Sequence, residues 1–234
     1  MNRLALAAAI ILLSASALFA QAPTPHPKVL PMFGKQPKTE AQQKADEKFL
    51  TSCDKNFTSR TEASNFFMER GWEYFNEGQT DTAVYRFNLA WLLNPDNANT
   101  YWAFGLVEQG KGNATEAIGM YERALKYQPK NSLLLADAAS AYLNLYDSSK
   151  KKKHLKQAFS YLEQSVAADA TNAYALFNLS KVKYHQKKYD EAWDYLHQSR
   201  DIDMLTLDYN FLADLMARMP DPMGIFKNDT QQSN

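Results

Sequence analysis

Hydrophobic, small and polar positions along the middle of the chain repeat with a period of 34 residues. The first set consists of Gly71, Gly78, Ala83, Phe87, Ala90 and Pro95, and the second, 34 positions later, of Gly105, Gly112, Ala117, Tyr121, Ala124 and Pro129. A period of this length indicates stacked helix–turn–helix units. It predicts helices over residues 63–76 and 81–93 in the first unit and a second pair within residues 97–128.

Each recurring residue type has a physical reason to be where it is. Gly71 allows the two helices of a unit to approach closely, because a side chain there would push them apart. Gly78 falls at the turn, where glycine adopts a left-handed backbone at least cost. Ala83 faces the first helix across the tightest contact, and Pro95 ends the second helix.

Two weaker units follow. In the third, the distance from Ala139 to Ala158 is seven positions longer than the equivalent distance from Gly71 to Ala83 in the first. The excess falls near residues 148–154, which predicts an enlarged turn containing the lysine run 150–153. The fourth unit is regular, since Ala192 follows Ala158 by 34 positions.

Amphipathic segments at both ends of the repeats predict capping helices. Repeat arrays need terminal helices that cover the exposed apolar face of the last unit. Residues 205–218, stopped by Pro220, fit such a helix at the C-terminal end. At the N-terminal end a helix over residues 40–53 is predicted, opened by Thr39 with Gln42 three positions later in the pattern of a capping box.

The repeat resembles the tetratricopeptide repeat. In the first unit the family pattern is carried by Phe67, Gly71, Tyr74, Ala83, Phe87 and Pro95, and in the second by Tyr101, Gly105, Ala117, Tyr121 and Pro129. The third unit departs from it at Ala139 and Ala170, and the fourth at Ser180 and Met204. The resemblance implies an all-α solenoid of about four repeats with terminal capping helices, and a protein that binds other proteins.

These features divide the chain into nine segments. We expect a signal peptide (1–20), a proline-rich tether (21–38), an N-terminal capping helix and linker (39–62), repeats 1 to 4 (63–96, 97–130, 131–170 with the lysine-rich insertion, and 171–204), a C-terminal capping helix (205–219) and a disordered tail (220–234).

In solenoids of this family the first helix of each repeat lines the concave face. By spacing, the residues that these helices do not use for packing are expected to form a binding groove. They are Asn65, Met68, Trp72, Phe75, Asn99, Trp102, Leu106, Asn144, Phe177, Lys181 and Tyr184. Aromatic residues and amides are typical anchors of an interface. Two interpretations stay open: an open groove, or aromatics covered by the N-terminal segment or the end helix.

The chemistry of the occupant follows from two of these positions. Some family members bind a C-terminal carboxylate through lysine and asparagine in the first helix. Met68 and Trp72 stand at those places here. We therefore expect an apolar or aromatic peptide instead.

The chain begins with Arg3, a short apolar run over residues 4–13 and small residues up to Ala20. This pattern is typical of a cleaved secretory signal peptide, with an uncleaved membrane anchor as the alternative. The apolar run is shorter than the roughly 20 residues of a spanning helix, which favours cleavage after Ala20. We expect a periplasmic or secreted protein of a bacterial envelope.

Composition limits the remaining function classes. The chain has 26 basic and 26 acidic residues, and this balance argues against nucleic-acid binding, which normally needs a basic face. Cys53 is the single cysteine, so no internal disulfide forms, and we expect it to be buried. No catalytic, metal-binding or cofactor-binding constellation is recognised, so an enzyme is not predicted.

The sequence therefore predicts an exported protein-interaction module, an envelope scaffold or adaptor that binds a peptide or helix of a partner in the groove. We expect a monomer. A self-associating structural scaffold and, with less support, an accessory subunit of an envelope enzyme remain as alternatives. The lysine run 150–153 is interpreted as a solvated loop, with an anionic surface as its alternative contact.

Overall fold

The computed structural model describes residues 26–226 and shows an all-helical chain with ten α-helices and no strand in that range. The helices are α1 (Glu40–Asn56), α2 (Arg60–Asn76), α3 (Thr80–Leu93), α4 (Ala98–Gly110), α5 (Ala114–Tyr127), α6 (Ser132–Ser149), α7 (Lys152–Ala168), α8 (Ala173–His185), α9 (Tyr189–Ile202) and α10 (Tyr209–Met216). The predicted signal peptide, the first part of the tether (21–25) and the tail beyond residue 226 lie outside the described residues.

The helices α2 to α9 form four antiparallel hairpins, each with a first helix (A: α2, α4, α6, α8) and a second helix (B: α3, α5, α7, α9). Each A helix packs most extensively against its own B helix, and each hairpin then packs against the next. The predicted fold class, an all-α solenoid of four repeats with terminal capping helices, is confirmed.

A small residue on each A helix meets a large residue on its B helix. Phe87 lies so close to Gly71 that an added Cβ would be 2.3 Å from its ring, and Tyr121 lies equally close to Gly105. Both rings are fully buried. In the third and fourth hairpins Ala139 and Ser180 replace the glycines, and the smaller Leu162 and Leu196 stand at the positions of the rings. The volumes on the two helices therefore compensate each other, as close packing requires.

Asparagine residues join successive hairpins. Asn97, Asn131 and Asn172 are the N-caps of α4, α6 and α8, and each side chain accepts a hydrogen bond from a backbone N–H of the first turn. The amide of Asn97 also donates to Ser64 Oγ at 2.9 Å, on the preceding A helix. Asn172 donates to Ser132 Oγ at 2.8 Å in the same way. Asn97 and Asn172 thus each satisfy a backbone N–H at the start of one A helix and bind the A helix of the preceding repeat.

The third hairpin does not contain the enlarged turn that the sequence predicts. Its extra residues are helical: α6 has 18 residues and α7 has 17, whereas α4 has 13 and α5 has 14. Lys150 ends α6 with a left-handed backbone (φ 53°), and α7 begins at Lys152. The four lysines 150–153 are exposed at this short connection. A longer pair of helices buries more apolar surface than a longer loop, which explains the difference.

The second half of the predicted tether is not a free extended segment. Residues 26–38, named the strap here, fold as two short 3₁₀ turns, Pro27–Val29 and Pro31–Lys35, that pack against α3. The amide of Asn88 donates to the carbonyls of Lys28 and Leu30, both at 2.9 Å, and its oxygen accepts from the N–H of Phe33 at 3.3 Å.

Burial of one strap side chain completes this attachment. Met32 is 4% exposed and joins the core of the first two hairpins. The backbone is left-handed at Met32 and Phe33 (φ 52° and 54°). This conformation costs a non-glycine residue roughly 1–2 kcal/mol, so the contacts with Asn88 and the core must offset it.

The N-terminal capping helix begins where the sequence places it. Thr39 and Gln42 form the reciprocal hydrogen bonds of a capping box at the start of α1. Cys53 is buried and packs with Ala63 and Leu93 of the first repeat. Burial raises the pKa of this thiol, and Asp54 raises it further. The single cysteine is therefore a core residue of the N-terminal cap.

The C-terminal end differs from its prediction in two places. The end helix α10 begins at Tyr209, because residues 204–206 form a separate 3₁₀ turn and the Asp208 carboxylate caps the helix. The segment 220–226 is ordered against α9 and is not part of a disordered tail. Asp221 accepts hydrogen bonds from the side chain of His197 and from three backbone N–H groups, and Phe226 stacks on Trp193.

Within residues 26–226 the structure contains no helix that combines the length and apolar character needed to cross a bilayer.

Gly105→Ala is expected to destabilise the fold by about 1–3 kcal/mol, because overpacking against Tyr121 exceeds the roughly 1 kcal/mol that alanine gains in a helix. Gly119→Ala is the matched control: it lies in α5 with no atom within 4 Å of the added Cβ, and we expect it to stabilise. Urea denaturation measures both. Equal effects of the two substitutions would contradict the packing argument.

Asn88→Ala is expected to release the strap and to lower the free energy of unfolding by about 1–3 kcal/mol, since buried backbone groups lose their partners. Limited proteolysis should then cut within residues 26–38, which we expect to be protected in the parent chain. Asn76→Ala, at an exposed position of α2, is the control. A strap that stays protected in Asn88→Ala would show that the three hydrogen bonds do not fix it.

Candidate protein-binding groove

The predicted groove residues lie on the A helices but differ in accessibility. Asn65 and Asn144 are exposed. Met68 and Phe177 are 3% and 4% exposed, so they belong to the packed interior beneath the groove and do not line it. The others are half-buried: Trp72, Phe75, Asn99, Trp102, Leu106, Lys181 and Tyr184.

The fourth-repeat part of the groove is covered by the end helix. Phe211 of α10 packs edge-on against Phe177 and Tyr184, with ring centroids 5.6 Å and 5.5 Å apart. The ammonium group of Lys181 lies 3.9 Å from the carboxylate of Asp208 and over the ring of Phe177. Burial lowers the pKa of Lys181, and Asp208 opposes this. At this end of the array the aromatic residues are therefore covered by the end helix and do not form an open groove.

The strap does not cover the groove. It lies on α3, a B helix, and therefore on the opposite side of the first repeat from the A-helix positions. Trp72 packs edge-on against Phe75 and Phe87, at 5.6 Å and 5.2 Å, and remains half-buried. The described residues thus leave open the A-helix face of the first three repeats, which we name the groove from here on.

Polar side chains connect neighbouring A helices on the floor of the groove. The indole N–H of Trp102 in α4 donates to Asp137 Oδ2 in α6 at 2.7 Å. Further along the same two helices, the amide of Gln109 donates to Ser140 Oγ at 3.2 Å. The hydroxyl of Tyr121 donates to Gln109 Oε1 at 2.8 Å and so ties this row to helix B. Trp102 is therefore held in place by a carboxylate.

Asp137 is the residue of this floor that spacing alone missed. It corresponds to Glu69, Ala103 and Asn178 in the other repeats, two positions before the small residue of the A–B contact. That position alternates between polar and apolar residues, so no periodic signal identifies it. The detectable signal is a single carboxylate within the otherwise apolar segment 133–139.

The environment of Asp137 disfavours its charged form. Burial raises the pKa of this carboxyl to about 6, although the hydrogen bond from Trp102 opposes the change. Burial also raises the pKa of Tyr174 in α8, a hydrogen bond with Ser140 lowers it, and Asp137 raises it again. Among the described residues no lysine, arginine or histidine forms an ion pair with Asp137.

No metal centre is built into the described part of the chain: residues 26–226 contain no cluster of three histidine, cysteine or carboxylate side chains arranged to hold an ion. His185 and His197 do not converge, since His185 lies 3.3 Å from Asp147 and His197 lies 2.8 Å from Asp221. The groove therefore offers aromatic faces, amides, hydroxyls and the carboxylate of Asp137.

Comparison with known proteins identifies the family. The family model described as the SusR N-terminal TPR domain matches residues 57–203, which is more than half of the chain. The chain belongs to this family of tetratricopeptide-repeat (TPR) domains, and TPR proteins generally mediate protein–protein interactions.

Relatives and solved structures agree with this assignment. The chain is similar to anaphase-promoting complex subunit 3 of Schizosaccharomyces pombe, with 27% identity over 142 residues, which is 61% of this chain and 20% of that protein. It thus spans about a fifth of that relative.

Two solved structures are similar in fold. PilF of Pseudomonas aeruginosa has a TM-score of 0.56 and 21% identity, covering 72% of this chain and 79% of that one. YrrB, described as a TPR protein with an unusual peptide-binding site, has a TM-score of 0.52 and 19% identity, covering 76% of this chain and 95% of that one.

Asp137→Asn is expected to stabilise the protein at pH 8 and not at pH 4. The folded-state pKa of about 6 exceeds the roughly 3.9 of an unfolded aspartate, so the folded state holds the proton more tightly. Stability conferred by the neutral form is complete below about pH 4 and is lost as the pH rises through 6. Asparagine stays neutral and still accepts from Trp102, so we expect a gain of about 1–3 kcal/mol at pH 8.

Urea denaturation at the two pH values measures this difference. Asp194→Asn is the matched control, because Asp194 is exposed in the middle of α9 and its replacement should change stability little at either pH. A gain of equal size at pH 4 and pH 8 would show that the charge of Asp137 is not the cause.

Proposed function

We propose that this chain is an exported protein-interaction module that binds a peptide or helix of a partner in the groove, as a scaffold or adaptor of a bacterial envelope. The observation that carries the proposal is the accessible aromatic pair Trp72 and Trp102 on the face that the strap and α10 leave open. Large aromatic side chains anchor interfaces because they give much contact area at little entropic cost.

The groove supplies complementary chemistry for a peptide. Trp72, Trp102 and Leu106 offer apolar contact to side chains of the partner. The amide of Asn99 and the amide of Gln109 are donors and acceptors that suit an extended backbone. These side chains are already positioned by contacts within the chain, which lowers the entropic cost of binding. The groups of the groove bind; they do not form a nucleophile–base pair, so we propose a non-catalytic role.

Export is proposed from the first 20 residues. Arg3, the apolar run 4–13 and the small residues before Gln21 support a cleaved signal peptide. The strap lies along α3, on the side of the first repeat away from the groove. A partner in the groove would then not compete with the residues that precede the strap.

A second candidate function is self-association. Large apolar side chains are exposed at the C-terminal end of the array, among them Met204, Leu205 and Tyr209 at 67%, 92% and 74% exposure. Exposed apolar groups in one region favour contact with another protein surface. Light scattering across protein concentrations separates the candidates, because a peptide receptor stays monomeric and a scaffold of stacked copies does not.

The test of the first candidate is the capture of partners from native envelopes by the chain and by Trp72→Ala and Trp102→Ala variants, each checked by its melting temperature. We expect each substitution to weaken capture at least about tenfold, as for aromatic anchors of an interface. Tyr127→Ala is the control, since Tyr127 is an exposed aromatic residue on a B helix. Unchanged capture by both tryptophan variants would remove the groove as the binding surface.

A further inference from the structure

One carboxylate stands on the floor of the groove without a cationic partner. Asp137 Oδ2 accepts the indole N–H of Trp102 at 2.7 Å. Asp137 Oδ1 accepts no hydrogen bond from the described residues, and it is not sealed from solvent. A buried carboxylate normally gains an ion pair or several hydrogen bonds. Asp137 has one hydrogen bond, and its second oxygen is unpaired within the described residues and not fully buried.

The groups that face Asp137 come from three helices. Trp102 belongs to α4, Tyr121 to α5 and Tyr174 to α8. Their rings carry hydroxyl or N–H groups and no charge. Asp137 raises the pKa of both tyrosines, in addition to their burial, which places both phenols near the carboxylate. The carboxylate thus lies among electron-rich rings.

Two lysines on or next to these helices are engaged elsewhere. Lys181 of α8 lies by Asp208 at 3.9 Å and over the ring of Phe177. Lys111, which follows α4, pairs with Glu108 at 3.1 Å. No described residue therefore neutralises Asp137, and a cation for it has to come from outside the described chain.

We propose that Asp137 and Trp102 form a subsite for the cationic side chain of a lysine or arginine in the partner segment. The inference rests on the proposed function, because it names the chemistry of a group that enters the groove. A carboxylate and an aromatic face together suit a cation: the carboxylate forms charge-assisted hydrogen bonds, and the ring attracts the charge through its quadrupole. The carboxyl is deprotonated when it binds the cation, and no covalent step is involved.

The subsite also explains which partners the groove disfavours. Two carboxylates at close range in a buried site repel each other. A partner whose C-terminal carboxylate or acidic side chain reached this floor would meet Asp137. Met68 and Trp72 also replace the lysine and asparagine with which some members of the family bind a carboxylate, so neither end of the groove favours an acidic group.

Binding of a cation and protonation of Asp137 exclude each other. The affinity for a basic segment is therefore expected to fall as the pH decreases below about 6, the pKa of this carboxyl. The phenols of Tyr121 and Tyr174 keep their protons throughout this range, since both pKa values are raised. In an Asp137→Asn chain this pH dependence is absent.

The first experiment selects ligands from a phage-displayed library of random twelve-residue peptides on the purified chain at pH 7.5. Binders that are lost with Trp72→Ala occupy the groove. We expect them to share a lysine or arginine at one position. Replacing it by norleucine or citrulline should lower the affinity about tenfold for the parent chain, in line with a charge-assisted contact, and less than twofold for Asp137→Asn. Asp147→Asn, an exposed carboxylate of the same helix, should behave as the parent.

The outcomes separate this inference from the proposed function. Groove binders that share no basic residue would overturn the subsite but not the groove as the binding surface. The same conclusion follows if replacing the basic residue lowers the affinity equally for the parent chain and for Asp137→Asn. A selection without any binder that depends on Trp72 counts against the groove itself.

A second measurement tests the subsite without a peptide. The indole N–H of Trp102 reports on Asp137 directly, and Trp102→Phe assigns its signal among the four tryptophans. Nα-acetyl-arginine methylamide should shift this signal in a saturable way at pH 7.5. The citrulline analogue should not shift it, and Asp137→Asn should abolish the response. An equal shift by both compounds, or no shift with either, overturns the subsite.

Discussion

The fold depends on close approach of the two helices within each hairpin, and this requires complementary volumes at one contact. Gly71 and Gly105 have no side chain where Phe87 and Tyr121 press against the A helix, and a Cβ there would be 2.3 Å from either ring. The later hairpins have an alanine or a serine opposite a leucine at the same positions. Because the contact fixes how each A helix is rotated, it also decides which of its residues face the groove. Packing within the hairpin and the choice of residues that face the groove are thus consequences of one constraint.

The sequence was sufficient to predict the repeats because this contact recurs at a constant period. Where the period breaks, prediction failed for physical reasons. Extra residues between Ala139 and Ala158 extended two helices instead of a loop, since a lysine in the left-handed region at position 150 ends α6 as a glycine would. The strap is held by Asn88, more than 50 positions away along the chain. The segment 220–226 is held by the bonds of Asp221 to the backbone and to His197. The contacts of Asn88 with the strap and of His197 with Asp221 join residues far apart in the chain, and such contacts leave no periodic pattern.

The candidate site shows the same limit. Spacing placed the predicted residues on the A helices, where Asn65 and Asn144 are exposed, but it carries no information on what covers a face. Phe177, Lys181 and Tyr184 have the same positions in their repeat as Met68, Trp72 and Phe75 in the first, yet Phe211 of the end helix packs on the fourth-repeat set. Asp137 was missed because its equivalents are Glu69, Ala103 and Asn178, which share no property. Its role depends on Trp102 of the neighbouring repeat, and only the three-dimensional arrangement brings the two together.

The position of the covered and open faces restricts the size of an occupant. The strap lies on a B helix and α10 lies on α8, so a partner has the A helices of three repeats. Neighbouring packed helices are about 8–10 Å apart, and a segment that crosses from α2 to α6 therefore spans roughly 20 Å. An extended chain advances about 3.3 Å per residue, so about six residues suffice. Such a segment would place apolar side chains against Trp72 and Trp102 at one end and meet Asp137 at the other. Under the proposed subsite, a cation of the partner would offset the burial cost of this carboxylate.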